Sequence, residues 1–165
     1  MADTVVTYSM SGKSRQTAQE ISDALKVPLI SIVENHRRKY NFSGFIGGIL
    51  DSAFRRTPAI SLSAAVPLSN RIILCGPIWA GRIAGPIRTW LTDQGQQIAD
   101  LVWVPHSGQA REWPKAIEEI ELLTGRAPDL IEPFSEQDFA KGVAAEKARS
   151  FAHKLAERSR GKIAA

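Results

Sequence analysis

A single cysteine in 165 residues excludes an internal disulfide. Cys75 lies in the apolar run Ile72-Ile73-Leu74-Cys75, where a buried, inert thiol is expected, and such usage suits a reduced, cytoplasmic compartment. Long hydrophobic runs are also missing. The longest uncharged stretch, Thr57 to Asn70, is broken by Pro58 and Pro67 and laced with serine, so no membrane span is expected. Asp3 precedes any apolar stretch, which argues against a signal peptide. No Cys/His or carboxylate cluster has metal-ligand spacing. A G-x-G-x-x-G dinucleotide fingerprint and a G-x-S-x-G nucleophile elbow are absent. Gly12-Lys13-Ser14 imitates the end of a nucleoside-triphosphate P-loop, but Thr7 stands where that motif needs its first glycine. The later apolar strands end in Gly76-Pro77 and Pro105-His106 instead of a magnesium-binding aspartate.

What remains is the profile of one globular domain over residues 1–165, with 44% hydrophobic and 23% charged residues and no internal repeat. A chain of this size buries roughly 70% of its unfolded surface and needs no metal or disulfide to hold a core. The net charge of +4 is local: Arg37, Arg38, Lys39, Arg55 and Arg56 face one acid, Asp51, between His36 and Arg56, and the rest of the chain balances. A nucleic-acid binder would spread its charge over a face, so no nucleic-acid partner is expected and the basic segment concerns a ligand or partner nearby.

Thr4 to Tyr8 reads as a strand feeding the polar loop Ser9-Met10-Ser11-Gly12, and a helix from Ser14 carries Ala18, Ile21 and Leu25 before Pro28. Val27 to Val33 is a second strand, with Pro28 suiting an edge or a first position. Arg71 to Gly76 and Leu101 to Val104 are continuously apolar, as in strands covered on both faces, and Asp129 to Glu132 supplies a fifth. Helical periodicity places Ile87, Trp90 and Leu91 on one helix, Trp113, Ala116, Ile117, Ile120 and Leu123 on a second, and Phe139, Val143, Ala148, Phe151, Ala152 and Leu155 on a third. Thr57 to Asn70 reads as a connector. Alternating strands and helices give an open α/β sheet with right-handed crossovers, which binds ligands at the carboxyl ends of its strands.

Two loops carry chemistry. Ser9-Met10-Ser11-Gly12-Lys13-Ser14 brings amides and hydroxyls to a helix N-terminus, an anion site by charge and geometry; the same residues would also serve as a plain helix cap. Gly76 to Pro86 is rich in glycine and proline around Trp79. An indole there either stacks on a planar ligand or folds back on the core.

Together these residues resemble the flavodoxin-like family that binds flavin mononucleotide (FMN). Thr4 to Ser14 looks like its first strand and phosphate loop, and Arg71 to Leu91, with Gly-Pro-x-Trp-Ala-Gly and Pro-x-Arg-x-Trp-Leu, like its third strand, flavin loop and helix. The resemblance implies an open five-stranded parallel sheet in the order 2-1-3-4-5 with helices on both faces. It implies that Ser9, Ser11, Gly12, Lys13 and Ser14 hold the ribityl phosphate. Pro77, Ile78, Trp79, Ala80, Gly81 and Arg82 would wrap the flavin, and Ser107, Gly108 and Gln109 would bound its other side. His106 could hydrogen-bond the flavin or simply pack.

The cofactor would do the redox work, transferring electrons from NAD(P)H or a redox protein to a small acceptor such as a quinone. Flavodoxin shuttles are typically acidic, whereas these loops carry Arg82 and no carboxylate, which favours a two-electron oxidoreductase. A one-electron shuttle for a protein partner and a cofactor-free interaction module are the alternatives. Nothing in the sequence separates a monomer from a homodimer.

Phe42, Phe45, Ile46, Ile49, Leu50, Ala53 and Phe54 form an apolar stripe over three helical turns, loosened by Gly44, Gly47 and Gly48. The plain reading is a crossover helix with that stripe on the sheet. With its flanking cations it could instead be a lid attracting an anionic substrate, or a peripheral contact with anionic membrane.

Overall fold

The computed structural model describes residues 2–36, 42–109 and 112–163. The cations Arg37, Arg38 and Lys39 lie outside the described residues. At the centre is a sheet of β1 (Asp3–Thr7), β2 (Leu29–Glu34), β3 (Ile60–Leu62), β4 (Arg71–Trp79), β5 (Arg82–Ile83), β6 (Asp100–Ser107), β7 (Leu130–Ile131) and β8 (Phe134–Ser135). The order across it is β3-β2-β1-β4-β6-β7, with β8 pairing β6 beyond β7. Counting only the parallel strands recovers the expected 2-1-3-4-5.

One register row, Leu29, Val5, Ile73, Val102 and Leu130, runs across five strands. Its neighbours on that face pack on Ala18 and Ile21 of α1 (Lys13–Leu25) and on Ala148, Phe151, Ala152 and Leu155 of α6 (Ala144–Ile163). The opposite face, with Val6, Leu74, Leu101 and Trp103, packs on Ile87, Trp90 and Leu91 of α3 (Gly85–Gln94) and on Ala116 and Ile120 of α4 (Pro114–Thr124). Both faces are therefore dry, which is why β4 and β6 read as unbroken apolar runs.

The structure corrects four expectations. Thr57 to Asn70 is more than a connector: it contains β3, antiparallel to β2, so β2 is not the edge and Pro28 merely precedes it. The fifth strand is split in two by Glu132 and Pro133. The last helix is also two, α5 (Glu136–Ala140) and α6, because Gly142 at φ 70° turns the chain between them. Ser135 opens α5 through a capping box with Asp138.

The fourth correction concerns α2 (Phe42–Ala53). It is a crossover helix packed on β4, β5 and α3, but its buried positions are Gly48, Asp51 and Ser52. Phe45, Ile46 and Leu50 of the apolar stripe are exposed, as is Phe54 just beyond it. Periodicity located the stripe correctly; what it could not give is that the small-residue side makes the closest approach to the body.

Candidate functional site

The carboxyl ends of β1, β4, β6 and β8 open onto one cleft. Its first part, about 420 Å³, is lined by Ser9, Met10, Ser11, Lys13 and Ser14 after β1, by Pro77, Ile78 and Trp79 at the end of β4, and by His106, Ser107 and Gly108. Phe45 of α2 and Ser135, Glu136 and Phe139 around α5 complete it. A second part of about 460 Å³ shares Ile78, Ser107 and Gly108 and adds Ala80, Gly81, Gln109 and Trp113. Three segments far apart in sequence thus converge on one cleft, with Gly12 and Arg82 lining neither part.

The first loop is shaped for an anion. Gly12 takes φ 92°, a left-handed conformation that a side chain would strain, and its amide donates to Ser9 Oγ at 2.9 Å, closing the turn. No side chain caps α1, so its first-turn amides point from the helix end without a side-chain acceptor. Gly12 itself shapes the loop and does not line the cleft. Lys13 pairs with Glu136 from α5 and lies 5.6 Å from the Phe139 ring centroid.

The segment after β4 is a hairpin, not an irregular loop. β4 extends through Trp79 and pairs antiparallel with β5, Ile78 against Ile83 and Trp79 against Arg82. Ala80 and Gly81 form its two-residue turn with φ of 52° and 71°, the backbone signature that a tight primed turn requires. Trp79 is 8% exposed and meets Tyr8 edge to face at 5.9 Å. Its indole borders the cleft while most of its surface is packed on the core.

Arg82 departs from expectation. Its guanidinium lies 4.0 Å from Glu119 Oε2, beside Arg88, which donates to Glu119 Oε1 at 2.5 Å, and Arg55 at 3.6 Å. The loops themselves carry no carboxylate, as expected, but two reach them from elsewhere: Glu119 of α4 behind Arg82 and Glu136 of α5 in the cleft itself.

His106 ends β6 with its ring stacked on Phe134 at 5.4 Å and its Nε2 hydrogen-bonded with Thr17 Oγ1 at 3.0 Å. Burial pushes its pKa down to about 4, leaving a neutral imidazole at neutral pH. The Ser107 hydroxyl donates to the Gln109 carbonyl, turning the chain over the second part of the cleft. Partial burial works against ionisation of Asp138, but the Ser135 amide and the Lys147 ammonium hold its carboxyl below the usual value.

Sequence reasoning missed Glu136, Ser135 and Phe45 as cleft residues and placed Phe139 in a helix core. Trp113, expected on a helix core, is indeed buried in the core, but it stands just before α4, meets Trp103 edge to face at 6.1 Å and also forms a wall of the second part. The available signal was position alone, since Phe134-Ser135 closes the fifth strand and any residue just after it reaches the same edge.

No protein-family model matches this chain, and no curated protein matches its sequence. Solved structures do match. A flavoprotein from Lactobacillus acidophilus NCFM, crystallised in complex with FMN, superposes with a TM-score of 0.68 at 18% identity, covering 85% of this chain and 97% of its own. The fold is flavodoxin-like. A putative flavoprotein from Bacteroides eggerthii aligns at a TM-score of 0.67 and 15% identity over 94% of this chain and 98% of its own. Another from Bacteroides uniformis aligns at 0.58 and 14% over 85% and 95%. In this flavodoxin-like frame, the cleft lies outside the carboxyl ends of the strands, where β1 and β4 lead to opposite halves of the sheet.

Proposed function

We propose that the cleft binds FMN non-covalently and that the protein is an FMN-dependent oxidoreductase. The observation that carries this reading is the convergence of Ser9–Ser14, Pro77–Gly81 and Ser107–Gln109 on two adjoining cavities that share Ile78, Ser107 and Gly108. The donor set fits the cofactor. Uncapped amides of α1, the hydroxyls of Ser9, Ser11 and Ser14, and the Lys13 ammonium suit a phosphate. The strand-end hairpin and the Ser107–Gln109 turn offer flat backbone and amides to a ring system, and Gly81 and Gly108 leave open space beside them. Bound FMN would supply reversible electron transfer, which none of the cleft's own side chains supplies.

The residues of the chain would bind, orient and exclude water. Trp79, Ile78 and Trp113 make apolar walls, and neutral His106 keeps Thr17 in place without adding charge. A reduced donor such as NAD(P)H and a small acceptor such as a quinone remain the expected partners, in a cytoplasmic setting. Arg82 no longer argues for two-electron chemistry, because its charge is turned to Glu119.

Purification should yield a yellow protein, or a colourless one that quenches the fluorescence of added FMN with saturable stoichiometric binding. Failure to take up FMN would leave the cofactor-free interaction module. Consumption of NAD(P)H by the loaded protein, with and without a quinone, separates an enzyme from a shuttle for a redox protein.

A further inference from the structure

Among the described residues, six large hydrophobic side chains are exposed, and four belong to one short segment: Phe45, Ile46 and Leu50 at 44%, 37% and 44%, and Phe54 at 68%. They project from α2 and the turn after it, while Gly48 and Ser52 face inward. The helix cannot simply roll to hide them. Arg88, itself buried, donates to the carbonyls of Asp51 at 3.3 Å, Ser52 at 3.4 Å and Arg56 at 3.0 Å, clamping the carboxyl end of α2 to the body.

The same stretch carries the charge. Residues 36 to 56 hold five Lys/Arg and one acid, which accounts for the entire +4 of the chain. That acid, Asp51, is buried and 3.5 Å from Arg56, so its charge is not displayed beside the apolar face. Arg55 and Arg56 stand at the exposed end, with the Arg56 guanidinium 5.7 Å from the Phe54 ring centroid.

We propose that the outward face of α2 docks on an anionic lipid bilayer, with Ile46, Leu50 and Phe54 entering the interface and Arg55 and Arg56 beside Phe54 meeting the headgroups. Charge decides among occupants. A second copy seated on this face would set a segment of net charge +4 against its own like, and like charges closer than the screening length of about 10 Å repel. An anionic surface is attracted by the same cations. The side chains stand out from a convex helix, and a bilayer interface accepts such side chains without a matching pocket. No helix among the described residues is long and apolar enough to cross a membrane, so the contact is peripheral. Because Phe45 also lines the cleft, docking would turn the cleft mouth toward the lipid.

The test needs no cofactor, so its failure is distinct from failure of the FMN reading. The purified full chain is floated with phosphatidylcholine vesicles with and without phosphatidylglycerol. The expected result is partition onto the anionic vesicles only, lost when salt is raised to about 1 M. Leu50→Ser/Phe54→Ser should weaken partition at least about tenfold. Arg56→Gln should cost about fivefold, and Arg55→Gln less, because Arg55 shares its charge with buried Glu119. The Leu50/Phe54 variant should melt as the parent does, since both side chains are exposed. Absence of partition onto anionic vesicles, or partition undiminished in the Leu50/Phe54 variant, overturns the proposal. So does a dimer that this variant abolishes, or retention on polyglutamate, when either occurs without vesicle binding.

Discussion

Gly48 of α2 approaches the indole of Trp79 so closely that a Cβ at this position would stand 2.7 Å from Cζ3 and 3.0 Å from Cε3. This contact joins the crossover helix to the wall of the cleft. It also explains why α2 packs on its small-residue side: only a residue without a side chain lets the helix backbone come this near.

Gly48→Ala therefore sets two effects against each other. Alanine gains about 1 kcal/mol of helix propensity, while overpacking against a rigid ring costs about 1–3 kcal/mol. The net expectation is destabilisation of up to about 2 kcal/mol, read as a lower urea midpoint. An unchanged or raised midpoint would mean that Trp79 yields freely. Weaker FMN uptake should accompany the loss, because the displaced indole borders the cleft.

Arg88 holds Glu119, the carboxyl end of α2 and the Ile83 carbonyl of the hairpin at once. Truncating one partner of a buried pair strands the other, typically at about 3–5 kcal/mol. Arg88→Met is expected to fall in that range by denaturant unfolding, and Arg88→Met/Glu119→Leu to recover part of it. A loss below about 1 kcal/mol would show that Arg55 and Arg82 suffice to satisfy Glu119.

Glu136 competes with any phosphate for Lys13. The pair is partly exposed, so the competition is worth about 1 kcal/mol or less. Glu136→Gln should tighten FMN by about two- to fivefold and leave riboflavin, which lacks the phosphate, unchanged. Lys13→Met should weaken FMN and again spare riboflavin. Fluorescence titration with both ligands reads this directly, and equal shifts for the two would place the charges near the ring instead.

The fold was legible where local pattern and tertiary environment agree. Ile72 to Cys75 and Leu101 to Val104 are apolar throughout because both sheet faces are covered, and Gly12 and Gly81 stand where turns need positive φ. The serine-rich loop after β1 and the segment around Trp79 do meet at one cleft. What stayed hidden depends on contacts between distant residues. Nothing local to Glu136 says that it meets Lys13, 123 residues away, or that Arg82 turns to Glu119. The stripe of α2 has a period but no direction; Trp79 and Arg88 supply the direction.

His106 gives the stability a pH dependence with a defined sign. In the unfolded chain its imidazole takes up a proton near the ordinary 6.5, whereas in the folded protein burial delays this to about 4. Below 6.5 the unfolded state therefore binds more protons, and stability falls as pH drops from about 6.5 toward 4, by up to about 1.4 kcal/mol per unit. Above that window the contribution is fully present. Asp138 acts lower: its depressed carboxyl stabilises above its ordinary 3.8 and loses that contribution only as pH falls further. Urea midpoints at pH 7 and pH 5 should differ in the parent and converge in His106→Gln, whose amide can still hydrogen-bond Thr17 but does not titrate. An equal drop in both proteins would assign the acid sensitivity to other groups.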